Sequence, residues 1–313
     1  MLNYYCPGFY ENQYMYAKYF KLRRENPECF YENVNIKYIF GSFPGCLWNG
    51  GGTFFGDILD DFKIRNVFNW YKNNKIILQL TFTNPLLEER DLSDRYCNLI
   101  LRIAEEVGNV EVLVTSELLA NYIKQNYPSL ILDQSIIATT KKREEYSLDI
   151  LKEDLKIYNK TVLPRIYNKD YKFLGSIPGN LRGRIEILVN DPCPADCPRI
   201  YSHYEDLART QLSICNSSKN KCNNMEKCAT PYTRYNCRKY NLEYKDLTSY
   251  ELGKFTEIKI SGRLNVVDGI IVTLYYLIKP EYQQDVLKIL MEPFINYKYP
   301  TFNFNWFFIK NIL

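Results

Sequence analysis

Short runs rich in β-branched and aliphatic residues recur along this chain, separated by stretches of helical periodicity. That alternation restricts the fold more than any other feature. The strand-like runs fall at 36–41, 75–82, 110–115, 131–137, 160–163, 184–190 and 256–261. Several are almost continuously apolar, as expected of strands covered on both faces. Helical patterns occupy about 57–72, 92–107, 116–127, 143–155, 170–180, 203–212, 265–278 and 281–292. Early strands are roughly 20–40 residues apart, which leaves room for a crossover helix each time. The expected fold class is α/β, a TIM-like (β/α) barrel. Seven strands are visible, so closure needs an eighth or a tolerated irregularity. A doubly wound open sheet is the alternative, but no G-x-G-x-x-G follows the first of these strands. Gly50-Gly51-Gly52 instead belongs to a loop after it.

A chain of 313 residues can bury a substantial core in one unit. The expected organisation is a single barrel domain over 1–313. Within it lie a cysteine-rich segment at 191–245 and a C-terminal helix with an aromatic tail at 281–313, the tail covering a barrel end. Net charge is 40 − 36 = +4, with Lys and Arg scattered rather than massed. Charge therefore neither requires nor excludes a nucleic-acid partner. No apolar run is long enough for a membrane span, and Met1-Leu2-Asn3-Tyr4-Tyr5-Cys6-Pro7 lacks the basic and apolar regions of a secretory signal. The expectation is a soluble cytoplasmic protein.

Ten cysteines are many for such a chain, and their distribution is uneven. Cys6, Cys29, Cys46 and Cys97 are dispersed, whereas Cys193, Cys197, Cys215, Cys222, Cys228 and Cys237 cluster. Clustering without an export signal points to metal rather than disulfides. Asp191-Pro192-Cys193-Pro194-Ala195-Asp196-Cys197-Pro198 follows the strand at 184–190 directly, where barrels build their sites. The segment from Asp191 to about Lys245 has little apolar periodicity, and a metal centre would give it a physical reason to be ordered. Four thiolates suit a [4Fe–4S] cluster, and zinc as the alternative; spacing does not choose between them. The C-x3-C-x2-C pattern of radical enzymes is absent. His203, the chain's one histidine, lies six residues past Cys197. Its neighbourhood suggests ligation, proton delivery or a hydrogen bond to a cluster sulfur, set against an ordinary structural role.

Ile185 through Cys193, then Cys197-Pro198-Arg199 and His203-Tyr204, resemble the cysteine segment of the collagenase-like (U-32) peptidase family. Phe255-Thr256-Glu257-Ile258-Lys259-Ile260-Ser261-Gly262-Arg263 resembles that family's late K-I-E-G-R strand, with Ser261 in place of Glu. Ile278-Lys279-Pro280-Glu281-Tyr282 and Phe40-Gly41-Ser42-Phe43-Pro44-Gly45-Cys46 are similar to further stretches, and the resemblance spans about 34–295. It implies a barrel with a four-cysteine [4Fe–4S] cluster and some modification chemistry, but not the substrate: better-understood relatives act in oxygen-independent hydroxylation of ubiquinone precursors or of ribosomal RNA, and others are linked to transfer-RNA modification. The ligand set it favours is Cys193, Cys197, Cys228 and Cys237. Cys237 enters because the family places a late cysteine near there, and Cys215, Cys222 and Cys46 are alternates.

Other residues close strands and face the same end of a barrel. Arg263 suits a carboxylate or phosphate of a substrate, or screening of an anionic cluster. Asn84 and Asn190 suit hydrogen bonds to a substrate, although Asn at a strand end also shapes turns; Glu117 and Asp133 are further polar residues of this kind. The expected partners are an RNA or small aromatic substrate and a redox partner or related barrel subunit, without a membrane. Two other functions compete with the modification enzyme. A peptidase would match the family name, but no H-E-x-x-H, G-x-S-x-G or convincing triad is present. A non-catalytic barrel stapled by a structural metal is the other.

Overall fold

The computed structural model describes residues 1–191, 195–212, 241–249, 252–261 and 275–295. Eight parallel strands close into a barrel in sequence order: β1 (Leu2–Pro7), β2 (Val34–Gly41), β3 (Ile77–Phe82), β4 (Val110–Val114), β5 (Ile131–Gln134), β6 (Thr161–Val162), β7 (Ile185–Leu188) and β8 (Glu257–Lys259). The ring shuts where β1 meets β8, with Asn3 opposite Glu257 and Tyr5 opposite Lys259. The TIM-like expectation is thus met, and the missing eighth strand is the first. Leu2–Pro7 escapes a periodicity search because tyrosines flank a bulge at Tyr4/Tyr5, and both rings are fully buried.

Outside the barrel run α1 (Gln13–Glu25), α2 (Asp61–Asn73), α3 (Arg95–Val107), α4 (Glu117–Asn126), α5 (Ile136–Lys141), α6 (Leu148–Ile157), α7 (Tyr171–Ser176), α8 (Gly179–Arg182), α9 (Ile200–Leu212), α10 (Tyr244–Leu247) and α11 (Gln283–Ile295). Local chemistry sets many of their starts. Asp60, Asp94, Ser116, Ser135, Ser147 and Asp170 each accept a hydrogen bond from the backbone three residues on, each cap contributing about 1 kcal/mol. Ser135 also explains a difference from the sequence reading. The run 131–137 breaks there into β5 and α5, because the serine caps a helix instead of extending the strand. Pro178 divides the predicted helix at 170–180 into α7 and α8. α1 was not apparent from the sequence. The helix expected at 265–278 falls outside the described residues except for 275–278, of which 275–277 are helical and Ile278 bridges to Phe30.

The main apolar core lies between barrel and helices. Ile39, Leu78, Leu80, Val112, Ile185, Ile187 and Ile258 pack outward onto side chains such as Ile64, Phe68, Tyr71, Ile100 and Leu101. Each such side chain, fully buried, contributes roughly 1.5–3 kcal/mol. Within the barrel the apolar content is small: Tyr5, Tyr38, Phe40 and Ile77 form a separate cluster. Among the described residues no helix is long and apolar enough to cross a membrane.

Candidate functional site

Inward and outward residues alternate along each strand, and in an eight-stranded barrel the inward residues of alternate strands meet in layers. Such layers are normally aliphatic. Here the even-numbered strands bring in Tyr38, Glu111 and Glu257, with Lys160 just before β6, and the odd-numbered ones Tyr5, Gln79, Asp133 and Glu186. Phe40 and Lys259 follow toward the strands' carboxyl ends. The polar groups knit together. Lys259 Nζ donates to Gln79 Oε1 at 2.8 Å and pairs with Glu186 Oε2 at 2.7 Å. Gln79 Nε2 donates to Asp133 Oδ2 at 2.8 Å and Glu186 Oε1 at 3.2 Å. Lys160 Nζ donates to Glu111 Oε2 and the Tyr38 hydroxyl, both at 3.0 Å. Tyr5 donates to Glu257 Oε2 at 2.6 Å, and Asn3 to Glu257 Oε1 at 2.7 Å. The Tyr5 and Tyr38 rings stack at 4.1 Å, and the two ammonium groups lie over aromatic faces.

Four carboxylates (Glu111, Asp133, Glu186, Glu257) thus face two lysines (Lys160, Lys259), all buried. Unpaired charge in such a place is costly, so the excess of acids favours protonation. Burial, and then Glu111 beside it, push the Asp133 carboxyl up to about 8 against the opposing pull of Lys160 and Gln79. Burial likewise raises Glu186, although Lys259 opposes it. For Lys160, burial works downward, but Asp133 and Glu111 outweigh it and hold the ammonium form. Tyr38 is raised to about 12, mainly by burial, and stays a neutral donor. The lattice holds charge and a proton at neutral pH. Its members are sealed from solvent, so chemistry on a substrate belongs above it, at the carboxyl ends of the strands.

At that mouth, backbone and side chains interlock. The loop after β2 presses Gly50 against the end of β3, where a Cβ would stand 2.3 Å from the Thr83 carbonyl oxygen. Asn84 spends its side chain on bracing: its amide faces the Leu47 and Ala208 carbonyls, and its Oδ1 accepts from Leu86 N. Asn190 continues β7 toward β8 by a reciprocal pair, donating to Ser261 O at 3.2 Å and accepting from Ser261 N at 2.8 Å. Asp191 then meets Arg165, which follows β6, with Nη1 3.4 Å from Oδ2. Arg143 Nη1 donates to the Ala195 carbonyl at 3.1 Å, tying the next loop to the end of α5. Ser42 and Thr83, one residue past β2 and β3, carry buried hydroxyls that make no hydrogen bond among the described residues. Both are free to donate to a polar group at the mouth.

Of the expected metal ligands, Cys197 is described. Its partly exposed thiol lies in the loop that Arg143 holds at the mouth, and Ile200 N bonds back to its carbonyl at 3.2 Å as α9 begins. A thiol so placed fits the donor chemistry of a thiolate-held group. Cys193, Cys215, Cys222, Cys228, Cys237 and Arg263 lie outside the described residues. Cys46 is fully buried in the loop after β2, its Sγ 3.4 Å from Cys97 Sγ on α3. Burial, and then Cys46 beside it, raise the Cys97 thiol. Among the described residues, no three His, Cys, Asp or Glu side chains are grouped to hold a metal ion. His203 is half-buried in the first turn of α9, six residues past Cys197 and next to Tyr204. Glu117 is exposed at the start of α4. Asp133 lies in the interior lattice rather than at the mouth.

The lattice itself was missed from sequence. Its signal is single charged residues set at every second position in apolar strands: Val110-Glu111-Val112, Leu132-Asp133, Ile185-Glu186-Ile187 and Glu257-Ile258-Lys259.

Comparison with known proteins adds little. No family model and no curated protein matches the chain. Among solved structures, that of the U32 peptidase Mk0906 aligns over 84% of this chain and 93% of its own, at 12% identity and a TM-score of 0.47.

Proposed function

We propose that this chain is an iron–sulfur protein of the collagenase-like (U-32) peptidase type. Cys193, Cys197, Cys228 and Cys237 would hold a [4Fe–4S] cluster, with zinc as the alternative occupant. The activity would be oxygen-independent hydroxylation, or another modification, of an RNA or a small aromatic molecule. One observation carries this reading. The cysteine-rich segment leaves the barrel at the carboxyl end of β7, and Cys197 stands as a partly exposed thiol in a loop that Arg143 fixes at the mouth. Substrates meet this fold at that end of the strands.

A cluster bound there would supply one-electron chemistry. The chain's own residues supply the setting. The interior lattice gives the mouth a rigid polar floor with the Lys259 ammonium toward the open end. Ser42 and Thr83 offer hydroxyl donors above it. His203 lies on α9, six residues past Cys197.

Electron paramagnetic resonance of anaerobically purified, dithionite-reduced protein tests the reading. A reduced-cluster signal is expected in the parent protein, and its loss in Cys193→Ala and Cys197→Ala. A silent spectrum from protein that carries zinc would overturn the redox assignment.

A further inference from the structure

We infer that Arg165 is a positioning residue that clasps both ends of the cysteine-rich segment at one point of the barrel mouth. The observations are independent of what the segment holds. Arg165 follows β6 and is 4% exposed, so its guanidinium is committed to neighbours in the interior. One nitrogen, Nη1, lies 3.4 Å from Asp191 Oδ2, two residues before Cys193. The other, Nη2, donates to Asn241 Oδ1 at 3.0 Å, four residues after Cys237. The chain therefore departs and returns across a single side chain.

Backbone contacts repeat the closure beside it. Leu242 N donates to Val189 O at 2.9 Å, so the returning strand of chain bonds to the departing one. Asn168, three residues after Arg165, donates from Nδ2 to Leu188 O at 2.8 Å, and the Tyr276 hydroxyl donates to Leu242 O at 2.7 Å. Leu242 itself is buried. A planar, two-pronged guanidinium can hold two acceptors at fixed separation, which a lysine ammonium on its flexible stem cannot do as well. Closing a long loop costs chain entropy that grows slowly with length, and a buried, charge-assisted pair at the neck offsets it. The purpose would be to fix where the chain leaves β7 and where it returns, and so to hold the Cys197 loop at the mouth, whether or not a metal is bound. Its value as a metal-site device rests on the function proposed above; the clasp itself does not.

The experiment uses the full-length chain with metal removed by chelation. The rate of Cys197 alkylation by iodoacetamide and the rate of tryptic cleavage between Asp191 and Asn241 are followed by mass spectrometry. Arg165→Met keeps the length and apolar stem, and should raise both rates at least about tenfold, with Arg165→Lys between it and the parent. Unchanged rates in a folded Arg165→Met protein would overturn the clasp. Should that variant fail to fold, Asp191→Ala and Asn241→Ala each remove one prong from a more exposed position, and each should accelerate cleavage. If neither does, the clasp is wrong. Iron and sulfide content of the parent protein is measured in parallel: its absence would sink the cluster, while the rate comparison would still decide the clasp.

Discussion

Replacing Asp133 with asparagine tests the interior lattice directly. In the folded chain this carboxyl is raised to about 8, first by burial and then by Glu111. In the unfolded chain it returns to 3.8. A raised folded value means that the native state holds a proton the unfolded state has released. The stability linked to it is fully present below the unfolded value and is lost as pH rises through about 8. One pKa unit is worth about 1.4 kcal/mol, so going from about pH 6 to about pH 9 should cost roughly 2–3 kcal/mol. Asparagine mimics the protonated acid in shape: its carbonyl accepts from Gln79 Nε2, as Asp133 does at 2.8 Å, and its amide can donate toward Glu111 in exchange for the weaker bond that Asp133 Oδ1 accepts from Asn159 Nδ2 at 3.2 Å. Urea unfolding at the two pH values, for parent and Asp133→Asn, gives the comparison. The variant should lie within about 1 kcal/mol of the parent at the lower pH. It should be the more stable of the two at the higher pH by roughly 2 kcal/mol, the linkage above less that margin. Parallel pH profiles would refute the assignment of the proton to this site.

Other perturbations follow from the same geometry. Lys259→Met leaves Glu186 buried without its ion pair and should cost about 3–5 kcal/mol in denaturant unfolding. Adding Glu186→Gln should recover part of that loss, and failure to recover any would count against the pairing. Gly50→Ala forces a Cβ onto the Thr83 backbone and should lower stability by roughly 1–3 kcal/mol; an unchanged melting temperature would contradict the close approach. Asn190→Ala removes the reciprocal pair with the Ser261 backbone and should cost about 1–2 kcal/mol, with faster amide exchange at Ser261 as the local readout.

The alternation of apolar runs and helical stretches carried seven of the eight strands, because their outward-facing residues are aliphatic and several of the strands read as nearly continuous apolar segments. β1 was hidden by its tyrosines: Tyr5 serves the interior through its hydroxyl as much as through its ring, while Tyr4 packs into the core outside the barrel. α5 was hidden inside an apolar run because a single serine cap decides between strand and helix there. At the site, the position of Cys197 past β7 was legible because it depends on chain order alone. The partners of Asn84 and Asn190 were not, since whether a strand-end amide turns to a substrate or to a neighbouring backbone is settled by loops distant in sequence. The lattice was overlooked for a related reason. Glu111 and Glu186 each look like an isolated charge within their own strand, and their partners come from other strands of the ring.

Iron, acid-labile sulfide and zinc, counted per chain in anaerobically purified protein alongside its visible absorption, test the central claim most directly. About four irons and four sulfides, with broad absorption near about 400 nm, are the predicted result. One zinc with no sulfide, or no metal at all in folded protein, would contradict it.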